Sequence, residues 1–431
     1  MRGLTRSLLF AVTASAPLAI AAEEDPFAAL DAQLEGQFQD LDQQLEAEYQ
    51  AIDAAIEAAF QRLKAEAEAV WGQGDAALPT QSVWVDYSDD MQSRRQFDFE
   101  EGVLKIEQIV DDTATQADLV DSLVASVAEA ESDTEADLSE KDAVLNYAKE
   151  TLAAQDIALS EAPAASNAPV LEGLMALDNT EITASIETQL GSALQAPVEA
   201  NTETNAETGN VAANAPDQGA EAGASSSEIT VSSAMLSSGA KKVTVTIPFA
   251  VDYLSESAQR YQNQVIEEAN RRGLPPSLVY AIMETESHFN PRARSHIPAF
   301  GLMQLVPSSG GLDAYHYVYG EKLVLGPEYY FNPDQNVELG TAYLDLLLTR
   351  YLRAVENEES RTLCAIAAYN TGAGNVARSF SGGTSVRGAA PLINALEPEA
   401  VYEHLIANLP YEETRNYVKK VTKARERYRA L

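Results

Sequence analysis

The chain has 431 residues, 45% of them hydrophobic, with 66 acidic side chains against 29 basic and a formal net charge of −37. A field of that sign repels nucleic acid and anionic lipid surfaces, and the single cysteine, Cys364, excludes an intramolecular disulfide or a cysteine-rich metal site. The acidity is lopsided, with 9 basic against 45 acidic residues before position 241 and 20 against 21 from there on, and it is read as a solubility device of the first half.

Residues 1–21 carry Arg2 and Arg6, a short interrupted apolar run and Ala19-Ile20-Ala21. This is the layout of a cleaved secretory signal, so a soluble exported protein is expected, with no cysteine after the leader to take a lipid. From Phe27 to Trp71 apolar residues recur in steps of 3, 4 and 4: Phe27, Leu30, Leu34, Phe38 and so on to Leu63, Ala67 and Trp71. That period, about 3.67 residues per turn, predicts one long helix with a nearly straight stripe, buried in its own chain or against a second copy. Alternation around Glu101-Gly102 predicts a hairpin over about 82–110, with Val83, Val85 and Tyr87 and then Val103, Leu104, Ile106 and Ile109 as strand residues. Residues 114–160 read as helical and acidic. The region 161–228 turns to Ala, Asn, Thr, Glu, Ser and Gly and reads as a low-complexity, partly disordered linker.

A strand over 241–251 and an amphipathic helix stopped by Gly273 open the last part. Helical stretches separated by Gly/Pro breaks follow at 333–353, 360–370, 372–380, 390–396, 398–408 and 411–430. The expected division is a signal (1–21), an acidic α+β domain (22–160), a linker (161–228) and a mostly helical domain (229–431).

One residue in that last domain breaks the pattern. In "LPPSLVYAIMETES", Leu278, Ile282 and Glu286 lie four apart on one helix face, and Glu284 lies roughly opposite as the expected solvated acid. A carboxyl against apolar neighbours resists ionising and can act as a general acid; alternatively Glu286 pairs with Arg292 or Arg294. Beyond it lie an Asn-Pro break, "GLMQ", "AAYNTGAGN" and "EETRNYV", which supply the aromatic faces and amides that sugar sites use.

The ordered set "ESHFNPRARS", "FGLMQLVP", "NPDQNVELGTAYLDLL", "AAYNTGAGNVARSF" and "EETRNYVKKV" resembles the catalytic domain of the soluble-lytic-transglycosylase (SLT) family. The segments "VWGQGDAALPTQSVWVDYSDDMQSRRQFDFEEGVLKIE" and "VTVTIPFAVDYLSESAQRYQNQV" resemble one member group, the membrane-bound lytic murein transglycosylases C. The resemblance implies a goose-lysozyme-like helical catalytic domain that cleaves peptidoglycan glycan strands. Carried over by motif, it makes Glu286 the catalytic residue. Ser295, Met303, Gln304, Tyr343, Tyr369, Asn370, Glu413 and Tyr417 become substrate-binding residues. The group is lipid-anchored, and the missing cysteine sets this chain apart from it.

No cofactor or metal is expected. His288, His296, His316 and His404 lack ligand spacing, and there is no phosphate loop. A hydrolytic muramidase on the same fold and a non-catalytic peptidoglycan-binding scaffold are the alternatives, separated by the chemistry of the product ends.

Overall fold

The computed structural model describes residues 28–111, 113–157, 166–196, 228–295 and 298–430, with side chains from 43 to 429. The expected signal at 1–21 lies outside them, as does the core of the expected linker, 197–227. The chain divides into Met1–Glu46 and Ala47–Leu431; in the first, the described part is the opening of helix α1 (Ala28–Trp71).

Within the second unit α1 runs on as the stripe predicts, burying Tyr49, Ile52, Ile56, Leu63, Ala67 and Trp71 in its own chain. It leads into a meander of β1 (Val83–Tyr87), β2 (Ser93–Asp98) and β3 (Val103–Ile109). The expected hairpin is therefore three strands: the turn at Glu101-Gly102 joins β2 to β3, and β1 pairs on β2. Strand β2, "SRRQFD", hides from an apolar reading because its arginines are paired. Arg94 donates to Glu107 at 2.5 Å on one face, and Arg95 donates to Asp86 on the other.

Helices α2 (Gln116–Ser132), α3 (Glu135–Glu140) and α4 (Ala143–Ala153) follow. The first two start at capping boxes on Thr115 and Thr134, and α4 starts at Asp142. Residues 179–195, expected within the linker, form helix α5 (Asn179–Gln195), capped by Asp178. Ile182, Ile186 and Leu190 recur every fourth residue on its buried side. Strands β4 (Thr230–Met235) and β5 (Lys241–Pro248) then complete an antiparallel sheet of order β1-β2-β3-β5-β4. The cross-strand row Trp84, Phe97, Leu104, Ile247 packs under α2 and α5. Residues 230–248, expected at the head of the helical domain, thus belong to the sheet.

The remainder is helical: α6 (Tyr253–Arg260), α7 (Gln262–Arg272), α8 (Pro276–Ser287), α9 (Leu312–Tyr319), α10 (Pro327–Phe331), α11 (Pro333–Leu346), α12 (Glu358–Thr371), α13 (Ala373–Ser381), α14 (Val386–Ile393), α15 (Pro398–Asn408) and α16 (Glu412–Arg427). This is the expected mainly α domain behind an α+β region. Helix α8 lies at its centre, with Leu278 through Met283 buried among α7, α12 and α16. A third core joins the two regions: Ile52, Ile56 and Leu63 of α1 and Val144 and Leu145 of α4 pack with Phe300, Leu305, Tyr330 and Phe331.

Candidate active site

Helix α8 ends at Ser287, directly after Glu286. The break comes one step before the expected Phe-Asn-Pro signal, because His288 (φ 50°) and Phe289 (φ 65°) both take the left-handed conformation. Two such residues in a row, neither of them glycine, store strain that the surrounding bonds must hold. Those bonds are visible. Ser287 is fully buried, and its Oγ lies 2.9 Å from both Met283 O and Leu302 O, tying the helix end to the turn at 301–304.

That turn is built with little freedom. Gly301 has φ 76°, and a Cβ there would lie 2.1 Å from Tyr330 O and 2.3 Å from Asn336 Nδ2. Asn336, fully buried at the start of α11, accepts from Met303 N at 2.7 Å and donates to Phe300 O and Tyr330 O. Met303 O in turn accepts from the Tyr369 hydroxyl at 2.8 Å. Ser287 and Asn336 both lie inside the motifs singled out in the sequence, yet nothing in their type or spacing assigns them this work.

Glu286 itself is half-buried. Burial raises its carboxyl to a pKa of about 8; the facing Tyr417 hydroxyl pulls it down and the charge of Glu413 pushes it up. Tyr417 is buried on α16 and its hydroxyl closes no full hydrogen bond among the described residues, so it is the polar group left to meet the carboxyl. Glu286 makes no ion pair with either nearby arginine: Arg292 and Arg294 both bind Asp142. The expectation for Glu284 is corrected. It is buried rather than solvated, paired with Arg427 at 2.9 Å and accepting from the Tyr428 hydroxyl at 2.5 Å.

The other expected site residues divide into two groups. Tyr369, Tyr417 and Glu413 surround Glu286 electrostatically, and Tyr343 lies against Tyr369 with ring centroids 5.4 Å apart. Asn370 accepts from the Thr414 hydroxyl at 2.7 Å, joining α12 to α16 beside Tyr417. Gln304, at φ 46°, donates Nε2 to Gly301 O at 3.0 Å and leaves a buried Oε1 without a hydrogen-bond partner among the described residues. Ser295 pairs with Ala299 across its loop, at 3.1 Å from its N–H to Ala299 O. Met303 differs from its expected groove role. Its side chain is fully buried against Gly340, where a Cβ would come within 2.2 Å of its sulfur. The arrangement is one carboxyl that is protonated at neutral pH, beside two tyrosines and a tightly held amide turn.

Residues 263–387 match the family described as Transglycosylase SLT domain, and residues 49–158 match the family described as Membrane-bound lytic murein transglycosylase C, N-terminal domain. Among curated proteins, the chain is 41% identical over 187 residues to membrane-bound lytic murein transglycosylase C of Histophilus somni, covering 43% of this chain and 51% of that one. It is 40% identical over 186 residues to the protein of the same name from Klebsiella pneumoniae, with the same shares. The matches thus span about half the length of these relatives. Among solved structures, an inactive variant of lytic transglycosylase Slt from Pseudomonas aeruginosa is 29% identical, with a TM-score of 0.29, over 38% of this chain and 23% of that one. The 70-kDa soluble lytic transglycosylase in complex with bulgecin A is 25% identical, with a TM-score of 0.32, over 42% and 26%.

Proposed function

We propose, for a chain that resembles the lytic murein transglycosylases in both its SLT domain and its N-terminal region, that it cleaves the β-1,4 bond between N-acetylmuramic acid and N-acetylglucosamine of peptidoglycan without water. The observation that carries this reading is the half-buried Glu286, whose pKa of about 8 keeps it protonated at neutral pH. Glu286 gives its proton to the glycosidic oxygen as the bond to the departing sugar breaks. The acetamido group of the muramoyl unit stabilises the developing cation, as in substrate-assisted glycosidases. The carboxylate left behind then takes the proton of the C6 hydroxyl on the same unit, and that oxygen attacks C1. A 1,6-anhydro end results and Glu286 is protonated again, so one residue serves as acid and then base.

In this reading Tyr369, Tyr343 and Tyr417 offer faces and hydroxyls to the sugars around the bond. Gln304 and Asn370 supply amides, Ser295 and Glu413 border the groove, and Met303 acts through its carbonyl on Tyr369. The leader-like first residues support a location outside the cytoplasm. No described helix is long and apolar enough to cross a membrane.

The test is mass spectrometry of sacculi digested by the wild type beside Glu286→Gln. Anhydro ends from the wild type and none from the variant are expected. Reducing ends would establish a hydrolase instead, and turnover by the variant would remove Glu286 from its role.

A further inference from the structure

Three residues outside the sugar-facing set form the most fully buried charge cluster near the site. Asp142, Arg292 and Arg294 are 1%, 4% and 2% exposed. Asp142 Oδ2 accepts from Arg292 Nη2 at 2.6 Å and also from Arg294 Nη2, and Asp142 Oδ1 accepts from Arg294 Nη1 at 3.1 Å. The same Oδ1 accepts from Leu145 N at 3.0 Å, because Asp142 is the N-cap of α4. Both guanidinium groups lie between the rings of Trp84 and Phe331, 4.3 to 5.7 Å from the centroids. Trp84 and Asp142 come from the α+β region, whereas both arginines come from the loop directly after the reacting acid.

That loop links Glu286 to its turn. Asn290 N donates to Ser287 O at 2.9 Å, and Arg292 N donates to the Asn290 side chain at 3.0 Å. Between the two arginines, Ala293 O accepts from Gly301 N at 2.9 Å, at the start of the turn that carries Met303 and Gln304. The α+β region grips the loop twice more through its backbone: Thr80 O accepts from Arg294 N, and Gln81 O from the Asn290 amide, each at 3.2 Å. Two left-handed residues at 288 and 289 need such a hold, since the loop would relax without it.

We propose that Asp142 is a positioning residue for the reacting carboxyl: it pins Arg292 and Arg294, and through them the loop that fixes Glu286 and Gln304 relative to each other. The α+β region is then part of the catalytic apparatus rather than a detachable appendage. This rests on Glu286 being the reacting acid, and loss of turnover in Glu286→Gln tests that separately. Asp142→Asn keeps the cap and the shape but removes the carboxylate charge that both buried cations bind.

With soluble uncrosslinked glycan strands as substrate, Asp142→Asn is expected to lower kcat about 10- to 100-fold with KM changed less than about twofold. The falling limb of its pH–rate profile should move to lower pH as water reaches Glu286 among Tyr369, Tyr417 and Glu413. The second variant, Asp142→Asn with Arg292→Met and Arg294→Met, removes all three charges, so its melting temperature should recover while kcat stays low. Either variant, folded and with the kcat and pH limb of the wild type, overturns the proposal and leaves the cluster a purely structural one.

Discussion

At the scale of single residues, Glu286 was legible because it recurs at the helical step of Leu278 and Ile282, and an acid on an apolar stripe is an anomaly with few physical resolutions. Glu284 was not, because the Arg427 and Tyr428 that bury it lie more than 140 positions further along. The raised pKa of Glu286 has consequences of definite sign. Activity that needs the protonated acid should persist at neutral pH and fall as pH rises through about 8. Because the Tyr417 hydroxyl lowers this pKa and Glu413 raises it, Tyr417→Phe should move the falling limb up and Glu413→Gln should move it down. Shifts of about one pH unit or less are expected, read from kcat against pH. Stability follows the same group. Between the ordinary carboxyl range and about pH 8 the folded state keeps a proton that the unfolded chain has lost, so stability declines as pH rises across that window. Glu286→Gln removes this dependence. Its melting temperature should exceed that of the wild type above pH 8 and converge on it in acid, while turnover falls at least about 10²-fold.

At the scale of elements, the turn at 301–304 shows why a motif names a place more readily than its supports. "GLMQ" was visible as a run of letters. That Asn336, thirty-three residues beyond Met303, holds it by three buried hydrogen bonds was not. Asn336→Leu takes the partner from the Met303 N–H and from Tyr330 O, while Phe300 O keeps its bond from Leu305 N at 3.1 Å, and should cost about 2–5 kcal/mol. Gly301→Ala should cost about 2–5 kcal/mol, from the left-handed φ and the clash with Tyr330 O together. Denaturant midpoints measure both. The sheet was half legible for a related reason. Leu104 and Ile106 announce β3, but Arg94 and Arg95 announce a strand only to a reader who knows Glu107 and Asp86 lie opposite them. Helix α5 was missed because it lies in a stretch rich in small and polar residues, although Ile182, Ile186 and Leu190 already carried the helical step.

At the scale of the whole molecule, composition separates an acidic half from a near-neutral one, and that contrast suggests two independent bodies. Within Ala47–Leu431 the packing says otherwise. Phe300, Leu305, Tyr330 and Phe331, beside the site, share one core with α1 and α4. Residues 229–431 produced alone would expose that apolar surface and lose Asp142. They are expected to aggregate or to show a weak near-UV circular dichroism signal beside the defined signal expected of the full chain. A monomeric, fully active fragment would show that the shared core is dispensable. Burial of the long stripe was predictable from its period; its partners were not, since the period describes one face and not what covers it.

The sheet also sets a timetable. Strand β3 ends at Ile109, and its neighbour β5 begins only at Lys241, so an interior ladder waits for more than 130 further residues. Growing from its amino end, the polypeptide cannot settle its earlier portion first and its later portion afterwards. Loop closure over that distance has to precede much of the reward. Refolding from denaturant should therefore be slow and concerted, with near-UV signal and enzymatic activity returning in a common phase.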